Sequence, residues 1–498
     1  MTLHQLYLAL LAGGLVVLVS IVATRVAVSV GLPSLLLYLA LGIVLGEDVL
    51  GIDFDNAQVA QNLGSAALAV ILVEGGLTTR WSDIRELLAP AGLLGSLGVG
   101  VSTVVTAAGA HFLLGLPWQT ALLLGAIVSS TDAAAVFAVL RVLPLPRRVS
   151  GLLEAESGFN DAPTVILVIV FSQTPFHVSA GSLVGTLAYE LAAGAAIGLL
   201  VGWLGGLALP RLALPGSGLY PLATFALAVV AFAAAGAAHA SGFLAAFLSA
   251  LVLANVGLPH RAATRSFAEG LGWLAQIGLF VLLGLLVNPT ELPREIGNAL
   301  VIGLVLLVLA RPLSVVLCLL PFRVPLREQV FLSWAGLRGA VPIVLATFPV
   351  VAGVPHSDRV LNVVFVLVVI YTLVQGPSLP LVARLLHLTP REATRQILVE
   401  SAPLDVLDAE LMTMTIPPTS GLHAVSVIEL RLPDPSVITL IIRDGRSFVP
   451  SPDTRLETGD ELLIVTTRKR RDLAERRLRA VNRRGPLAHW FDEFGAPD

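Results

Sequence analysis

The chain has 498 residues, of which 56% are hydrophobic and only 13% are charged, and its mean hydropathy is +0.86. A soluble protein carries about 25% charged residues, so this composition excludes an ordinary soluble fold for most of the chain. The net charge of −3, without any basic tract, argues against a nucleic-acid partner. The single cysteine, Cys318, excludes a disulfide framework.

Apolar stretches follow one another from the N-terminus to about residue 388, and most are long enough to cross a hydrocarbon layer of about 30 Å. The first stretch lacks a basic n-region, which favours a membrane span over a cleavable signal. The sequence therefore predicts an all-α polytopic membrane protein. We predict thirteen spans, at 3–23, 31–46, 59–78, 88–116, 118–140, 149–172, 181–209, 217–237, 240–257, 267–288, 296–321, 326–350 and 358–386.

The arginines of the predicted loops fall mostly on one side of the membrane, and such an excess is typical of the cytoplasmic side. If the N-terminus is outside, the outer loops contain only Arg294 and Arg359. The inner loops then contain Arg25, Arg80, Arg85, Arg141, Arg147, Arg148, Arg211, Arg261, Arg265, Arg323 and Arg327. This bias predicts a cytoplasmic C-terminus in a bacterial cytoplasmic membrane.

After the membrane part (1–388) and a linker (389–402), residues 403–482 alternate apolar and polar side chains, as half-buried strands do. The alternating stretches are "LMTMTI", "AVSVIELRL", "VITLII", "RSFVP" and "DELLIVTT". Turn signals stand at Asp444-Gly445 and Gly459-Asp460, and a charged helical segment, "KRRDLAERRLRAV", follows. We predict a small β-β-β-β-α cytoplasmic domain, followed by a short tail at 483–498.

Ionisable side chains inside spans cost about 2.5–3.5 kcal/mol each on insertion scales, and by default they mark a functional site. In this chain they are Glu74, Asp132, Glu156, Asp161, Arg311 and Arg338. Ser157 and Asp161 are four residues apart and share one helix face, and Glu156 and Asn160 share a neighbouring face. A site for a small dehydrated cation needs a carboxylate, hydroxyl oxygens and free main-chain carbonyls. Asp161 can supply the carboxylate and Ser157 a hydroxyl.

Free carbonyls require interrupted helices, and two segments predict them. The hydroxyls of "GAIVSSTDAA" in the fifth span compete with the backbone for hydrogen bonds. In the twelfth span, "AGLRGAVP" combines two glycines with a proline. The fifth and twelfth spans hold matching positions if spans one to six and eight to thirteen are inverted repeats, which is typical of secondary transporters.

Proton and cation compete for a single buried carboxylate, because burial favours its neutral form whereas nearby donors favour its charged form. Alternating access converts this competition into exchange. One such carboxylate, Asp161, predicts one proton per cation.

The same residues also have structural interpretations, which we keep as alternatives. In these, Arg338 and Glu156 would form an ion pair that offsets the cost of burying both. Asp132 would cap a helix or snorkel instead of ligating, and Glu74 would be a solvated residue near a helix end. Arg311 would be structural or would snorkel, and Thr131 and Ser157 would be ordinary helix-bonded hydroxyls.

The motifs "LVEGGL", "SSTDAAAV", "ESGFNDAPT" and "GLRGAVP", in this order over residues 5–388, resemble those of the monovalent cation:proton antiporter-1 family. The resemblance implies a homodimer that serves pH homeostasis, with a dimerisation domain and a six-helix core that moves like an elevator in each subunit. It implies that Asp161 binds the cation and the proton, with Asn160 beside it, and that Ser157 and Thr131 are ligands. It also implies that Glu156 pairs with Arg338 as a structural ion pair.

Further acidic positions of the family match Asp132, which we include among the cation- and proton-binding residues, and Glu74, which we place in the ion pathway. Asn160 in place of a first aspartate is similar to the electroneutral branch of the family. Many members have proline or glycine directly after the aspartate, where this chain has Ala162.

The stretch "VITLIIRDGRSFVPSPDTRLETGDELLIV" resembles the C-terminal, TrkA-C-like domain of potassium-conductance regulators. The resemblance implies a small-molecule effector on residues 403–482, such as cyclic di-AMP or another nucleotide, and it favours potassium over sodium. The nucleotide-binding Rossmann half that often precedes such domains is missing, as is any GxGxxG motif, so we do not expect NAD or ATP sensing. No cofactor is expected.

Three alternatives stay open. The first is a Na⁺/H⁺ antiporter without K⁺ transport. The second, from a different class, is a ligand-gated cation channel, although the sequence shows no repeated filter loop. The third is an intramembrane hydrolase that uses two membrane carboxylates, but the chain lacks a flanking Gly-x-Gly-Asp arrangement. We therefore expect a transporter and not an enzyme.

Overall fold

The chain divides into two compact units, Met1–Thr389 and Pro390–Asp498, which are described separately. The computed structural model describes residues 2–30, 33–46, 50–51, 54–132, 145–176, 179–212, 214–258, 260–388, 399–404, 409–417, 420–467 and 469–484. Most of the predicted linker and nearly all of the predicted tail lie outside these ranges, as does the end of the predicted fifth span.

The first unit is built from α-helices at each of the predicted spans. Their bounds are α1 Leu3–Val30, α2 Ser34–Leu45, α3 Ala57–Thr78, α4 Arg85–Leu114, α5 Trp118–Ser129, α6 Arg147–Phe171, α7 Ala180–Ala208, α8 Leu219–Ala237, α9 Gly242–Asn255, α10 Arg261–Leu286, α11 Leu292–Phe322, α12a Leu326–Trp334, α12b Ala340–Val351 and α13 Ser357–Leu385.

Eight helices in the described part of the chain are long and apolar enough to cross a membrane: α1, α3, α4, α7, α8, α10, α11 and α13. The helices α2, α5, α9 and α12b are apolar but shorter. The polytopic helical fold is thus confirmed, whereas the number of thirteen crossings stays a prediction.

The helices of the first unit pack as two groups. The core group consists of α4, α5, α6, α11, α12a, α12b and α13, with α5 and α6 against α12b and with α4 against α11. The scaffold group consists of α1, α2, α3, α7, α8, α9 and α10. The groups meet where α3 contacts α12b and where α7 and α9 contact α6. The helix α6 therefore lies at the boundary between the groups.

Small residues allow the scaffold helices to approach one another closely. A Cβ atom on Gly198 of α7 would lie 2.6 Å from the carbonyl oxygen of Ala245 on α9, which is closer than carbon and oxygen atoms pack. Glycine is therefore required at this contact, and the scaffold is tightly packed beside α6.

The two segments that the sequence predicts to interrupt helices leave the helical conformation. The helix α5 ends at Ser129, and Ser130 is extended, with φ −66° and ψ 139°. The twelfth span is broken between Trp334 and Ala340. The prediction of an interrupted twelfth span is confirmed.

The second unit contains one antiparallel sheet and a helix. Its strands are β1 Val399–Leu404, β2 Ala409–Thr415, β3 Val437–Arg443, β4 Arg446–Phe448 and β5 Glu461–Thr467, in the order β1-β2-β5-β3-β4. The helix α14, Arg471–Arg484, buries Ala474, Leu478 and Val481 in a common core with the strands. The strand β1 is additional to the four predicted strands, and it begins upstream of the predicted boundary at residue 403.

Asp444 and Gly445 both have positive φ, at 49° and 75°, and they join β3 to β4. This conformation is the type I′ geometry that Asp-Gly favours between paired strands. The predicted turn is confirmed.

The prediction of a strand in "AVSVIELRL" is wrong, because Val427–Leu430 form a 3₁₀ turn. Ser426 and Glu429 form a capping box, in which the backbone N–H of Ser426 donates to Glu429 Oε2 at 2.8 Å. These bonds also lower the pKa of Glu429. The Ser-x-x-Glu spacing is a helix-start signal that overrides the alternation.

Candidate functional site

The helix α6 supplies three polar side chains to one buried cluster, which we call the Asp161 cluster: Ser130, Thr131, Ser157, Asn160 and Asp161. Each of these residues is at most 4% exposed. Ser157 and Asp161 both face the non-helical end of α5, as their spacing predicts. Pro163 lies inside α6 and has no N–H, so the carbonyl of Phe159 loses its usual partner four residues on.

Hydrogen bonds join α6 to the two residues that follow α5. The hydroxyl of Ser130 donates to Asp161 Oδ1 at 2.7 Å. The hydroxyls of Thr131 and Ser157 share a hydrogen bond of 3.2 Å, and Asn160 Nδ2 donates to Thr131 Oγ1. The structure thus brings together four of the predicted ligands and adds Ser130.

The oxygen atoms of the Asp161 cluster are suited to bind a dehydrated cation. The buried Asn160 Oδ1 has no hydrogen-bond partner among the residues that the structure describes. Within the same ranges, the Asp161 carboxylate forms no ion pair. A carboxylate and three hydroxyls therefore come together where water is scarce, with a buried amide oxygen on the same helix, and oxygens of this kind replace the hydration shell of a small cation.

The ends of α5 and α12b stabilise each other beside the cluster. The guanidinium of Arg338 donates to the carbonyl of Ser129 at 3.0 Å and to that of Ser130, at the C-terminus of α5. The carboxylate of Asp132 accepts from the N–H of Ala340 at 2.8 Å, at the N-terminus of α12b. Each charge compensates the partial charge of the helix end that it contacts. This contact makes Asp132 a helix cap, which is one of the interpretations that the sequence left open for it.

The two broken segments also pair through their backbones, since the N–H of Asp132 donates to the carbonyl of Leu337 at 3.0 Å. A Cβ atom on Gly339 would overlap the Asp132 carboxylate. The crossing of the two broken segments therefore requires glycine at position 339. Gly339 is the second glycine of "GLRGAVP", the motif that predicted the break in the twelfth span.

The predicted ion pair between Glu156 and Arg338 is wrong. Glu156 pairs with Arg311 of α11 in a two-pronged contact, with Arg311 Nη2 at 2.9 Å from Glu156 Oε2. Both side chains are almost completely buried, at 5% and 2% exposure. Arg338 is unavailable to Glu156 because the carbonyls at the end of α5 hold its guanidinium. Arg311 thus has a structural role, as one of the alternatives for it proposed.

Glu74 lies on α3, in the scaffold group. Its carboxylate packs against Gly272 of α10. Its role in the ion pathway stays a prediction.

Sequence reasoning missed Ser130 as a contact of Asp161, although the run of hydroxyls in "SSTD" carried a signal. Which hydroxyl faces α6 depends on where the helix stops, and sequence gives that boundary only to within a few residues. No three His, Cys, Asp or Glu side chains in the described ranges come together as they would around a multivalent metal.

Comparisons with known proteins decide the family. The profile described as "Sodium/hydrogen exchanger, transmembrane" matches residues 14–385, and the TrkA-C domain profile matches residues 411–479. The chain belongs to the sodium/hydrogen exchanger family. The two matches confirm the resemblance of the membrane part and that of the C-terminal part.

Three relatives illustrate this membership. The K(+)/H(+) antiporter NhaP of Alkalimonas amylolytica is 38% identical over 468 residues, which are 92% of this chain and 81% of that protein. The K(+)/H(+) antiporter NhaP2 of Shewanella baltica is 36% identical, with the same coverage. The Na(+)/H(+) antiporter NhaS2 of Synechocystis is 30% identical over 65% of this chain and 61% of its own length.

The sodium proton antiporter MjNhaP1 of Methanocaldococcus jannaschii has a similar fold. Its structure at pH 8 superposes with a TM-score of 0.66 at 21% identity, covering 77% of this chain and 99% of that one. This similarity confirms the architecture of the membrane unit.

Proposed function

We propose that this exchanger carries K⁺ in preference to Na⁺ against H⁺ across the bacterial cytoplasmic membrane, one for one. The observation that carries the proposal is the Asp161 carboxylate, which is buried, hydrogen-bonded to a hydroxyl and free of any ion pair within the described ranges. Such a group can hold a proton or a monovalent cation but gains little from holding both.

The stoichiometry follows from the charges near the site. Asp132 is bonded to a helix N-terminus and Glu156 is paired with Arg311, so both are engaged in structural contacts. Asp161 is then the single group that binds a proton and a cation in turn, and each cation replaces one proton. Exchange of one cation for one proton at a single carboxylate is electroneutral.

The preference for K⁺ is supported by relatives rather than by geometry. The NhaP and NhaP2 relatives, both named K(+)/H(+) antiporters, match over the membrane unit and the second unit together. The TrkA-C domain accompanies potassium systems, which also favours K⁺. Na⁺/H⁺ exchange without K⁺ transport is the alternative.

The arrangement of the two helix groups supports alternating access. The Asp161 cluster lies on the core group, and its helix α6 contacts the scaffold helices α7 and α9, so a movement of the core would carry the site across the membrane. We further propose an N-terminus outside, a cytoplasmic C-terminus, a homodimer, and an effector such as cyclic di-AMP on the TrkA-C domain.

Proton release from everted vesicles tests the assignment. Asp161→Asn keeps the size and hydrogen-bonding capacity of the side chain but cannot release a proton to a cation, so we expect K⁺-induced proton release to be lost. Glu190→Gln, a half-buried acid of scaffold helix α7, is the matched control and should retain it. Exchange that survives in Asp161→Asn would refute the assignment.

The same assay separates an antiporter from the channel alternative. A channel lets cations flow down their gradient without moving protons uphill, whereas the proposed exchanger builds a pH difference from a K⁺ gradient. A flux that neither saturates nor moves protons would favour the channel.

A further inference from the structure

Phe247 of scaffold helix α9 packs on α6 between the positions of Ser157 and Asp161. A Cβ atom on Gly158 would lie 2.7 Å from Phe247 Cζ, and the rings of Phe159 and Phe247 meet edge to face with centroids 5.7 Å apart. Phe247 is 3% exposed. Its ring therefore covers the α6 backbone one residue after Ser157 and three before Asp161.

The backbone of Phe247 is fixed to the scaffold. A Cβ atom on Gly76 of α3 would lie 2.7 Å from the Phe247 carbonyl oxygen and 2.8 Å from the Cβ of Ala250. The helices α3 and α9 are thus in backbone contact at this level, and the ring is the part of Phe247 that reaches the core group.

The contact between ring and glycine lacks directional bonds. No hydrogen bond or ion pair joins α6 to α9 within their described residues, whereas the N–H of Trp81, in the connection between α3 and α4, donates to Asn255 Oδ1 of α9 at 2.9 Å. An apolar ring against a glycine can be displaced without breaking a hydrogen bond. A boundary that must slide suits such a contact.

We propose that Phe247 is a positioning residue of transport, whose ring closes the Asp161 cluster on the scaffold side and forms the surface past which Gly158 slides. The proposal rests on the proposed exchange and adds the place where the core leaves the scaffold. A side chain at position 158 would collide with the Phe247 ring and slow the movement of the core. Removal of the ring would restore this movement.

A double-mutant cycle tests this. Gly158→Ala should slow K⁺/H⁺ exchange about tenfold while KM for K⁺ changes little, because the added methyl obstructs movement and not binding. Phe247→Ala in the Gly158→Ala background should restore most of the rate. Gly100→Ala on α4, where nothing lies within 4 Å of the added methyl, is the matched control and should exchange normally.

Two outcomes overturn the proposal while leaving the exchange function intact. One is a Gly158→Ala variant that works at the wild-type rate. The other is a slow Gly158→Ala variant that elutes normally in size-exclusion chromatography but is not restored by Phe247→Ala. If wild-type protein itself shows no exchange, the proposed function fails instead.

Thiol labelling separates a moving contact from static packing, and it remains informative if Gly158→Ala does not fold. Cys318 is the single cysteine and is buried, so a Cys318→Ala, Phe247→Cys protein has one reactive position. A membrane-permeant maleimide should label it several-fold faster when K⁺ and a pH gradient drive turnover than without K⁺. Equal labelling rates under both conditions would contradict the proposal, and the Cys318→Ala parent should remain unlabelled.

Discussion

Three carboxylates are buried around the crossing of α5 and α12, and each has a different partner. Asp132 accepts from a helix N-terminus, Glu156 pairs with Arg311, and Asp161 accepts from the hydroxyl of Ser130. The first two carboxylates are engaged in structural contacts with a helix end and with an arginine. Asp161 has a hydroxyl partner and no ion pair in the described ranges, and this difference supports the exchange of proton and cation that we propose for it.

The pairing of Glu156 is testable at the level of single residues. Glu156→Gln leaves the charge of Arg311 buried without compensation, and breaking a buried pair in this way costs about 3–5 kcal/mol. We expect a large fall in the thermal unfolding temperature of the purified protein.

A second substitution identifies the partner. Glu156→Gln with Arg311→Met removes both charges and should recover much of the stability, whereas Glu156→Gln with Arg338→Met should not. Recovery by the Arg338 substitution instead would show that the sequence-based pairing was right after all.

At the scale of elements, the two helix breaks act as one unit. Asp132 caps α12b while Arg338 binds the carbonyls at the end of α5, so each segment holds the other in place. The Asp161 cluster depends on this unit because Ser130 and Thr131 belong to it.

Gly339→Ala tests the crossing. The added methyl would overlap the Asp132 carboxylate, so the cap of α12b should be displaced and the exchange rate should fall by at least about tenfold. Gly278→Ala on α10, with nothing within 4 Å of its added methyl, is the control for a helical glycine in the membrane unit. Undiminished exchange in Gly339→Ala would show that the crossing tolerates displacement of this cap.

A second pair of elements also matches between the halves. The helices α4 and α11 each contain a π-helical turn, at Leu94–Gly98 and Leu306–Ala310. In α4, a Cβ atom on Gly95 of this turn would lie 3.0 Å from the Cβ of Phe159, and in α11 the turn directly precedes Arg311. The turn in α4 thus packs on α6, whereas Arg311, just after the turn in α11, pairs with Glu156 of α6. The fourth and eleventh spans hold matching positions in the predicted inverted repeat.

Sequence predicted the elements that have local causes. Gly336 and Gly339 indicated the break in the twelfth span, and Asp444-Gly445 indicated the hairpin, because backbone conformation is decided by a few neighbouring residues. The spacing of Ser157 and Asp161 placed both on the face that meets α5.

What sequence could not supply depends on rotation and register between distant helices. Whether Arg311 or Arg338 reaches Glu156 depends on how α11 and the break in the twelfth span lie against α5 and α6, for which the sequence carries no clear signal. Phe247 was missed for the same reason, since nothing local distinguishes it from other apolar residues of α9.

At the scale of the whole molecule, the second unit is the candidate for control. The TrkA-C match spans residues 411–479, and its sheet and helix share a core of their own. A unit with its own core can be removed without opening the core of the membrane unit.

Truncation after about residue 391 should therefore leave exchange intact but abolish its response to an effector such as cyclic di-AMP. The measurement is the exchange rate of full-length and truncated protein in proteoliposomes, with and without the nucleotide. Identical behaviour of both proteins under all conditions would make the unit an assembly platform rather than a sensor.

The most direct test of the central claim, one proton for one K⁺ at Asp161, is the null point of exchange in proteoliposomes. We predict that proton movement stops when the pH difference equals the logarithm of the imposed K⁺ ratio, whatever the membrane potential, and that Asp161→Asn shows no K⁺-driven proton movement. A null point that shifts with membrane potential, or K⁺-driven proton movement that persists in Asp161→Asn, would contradict the account.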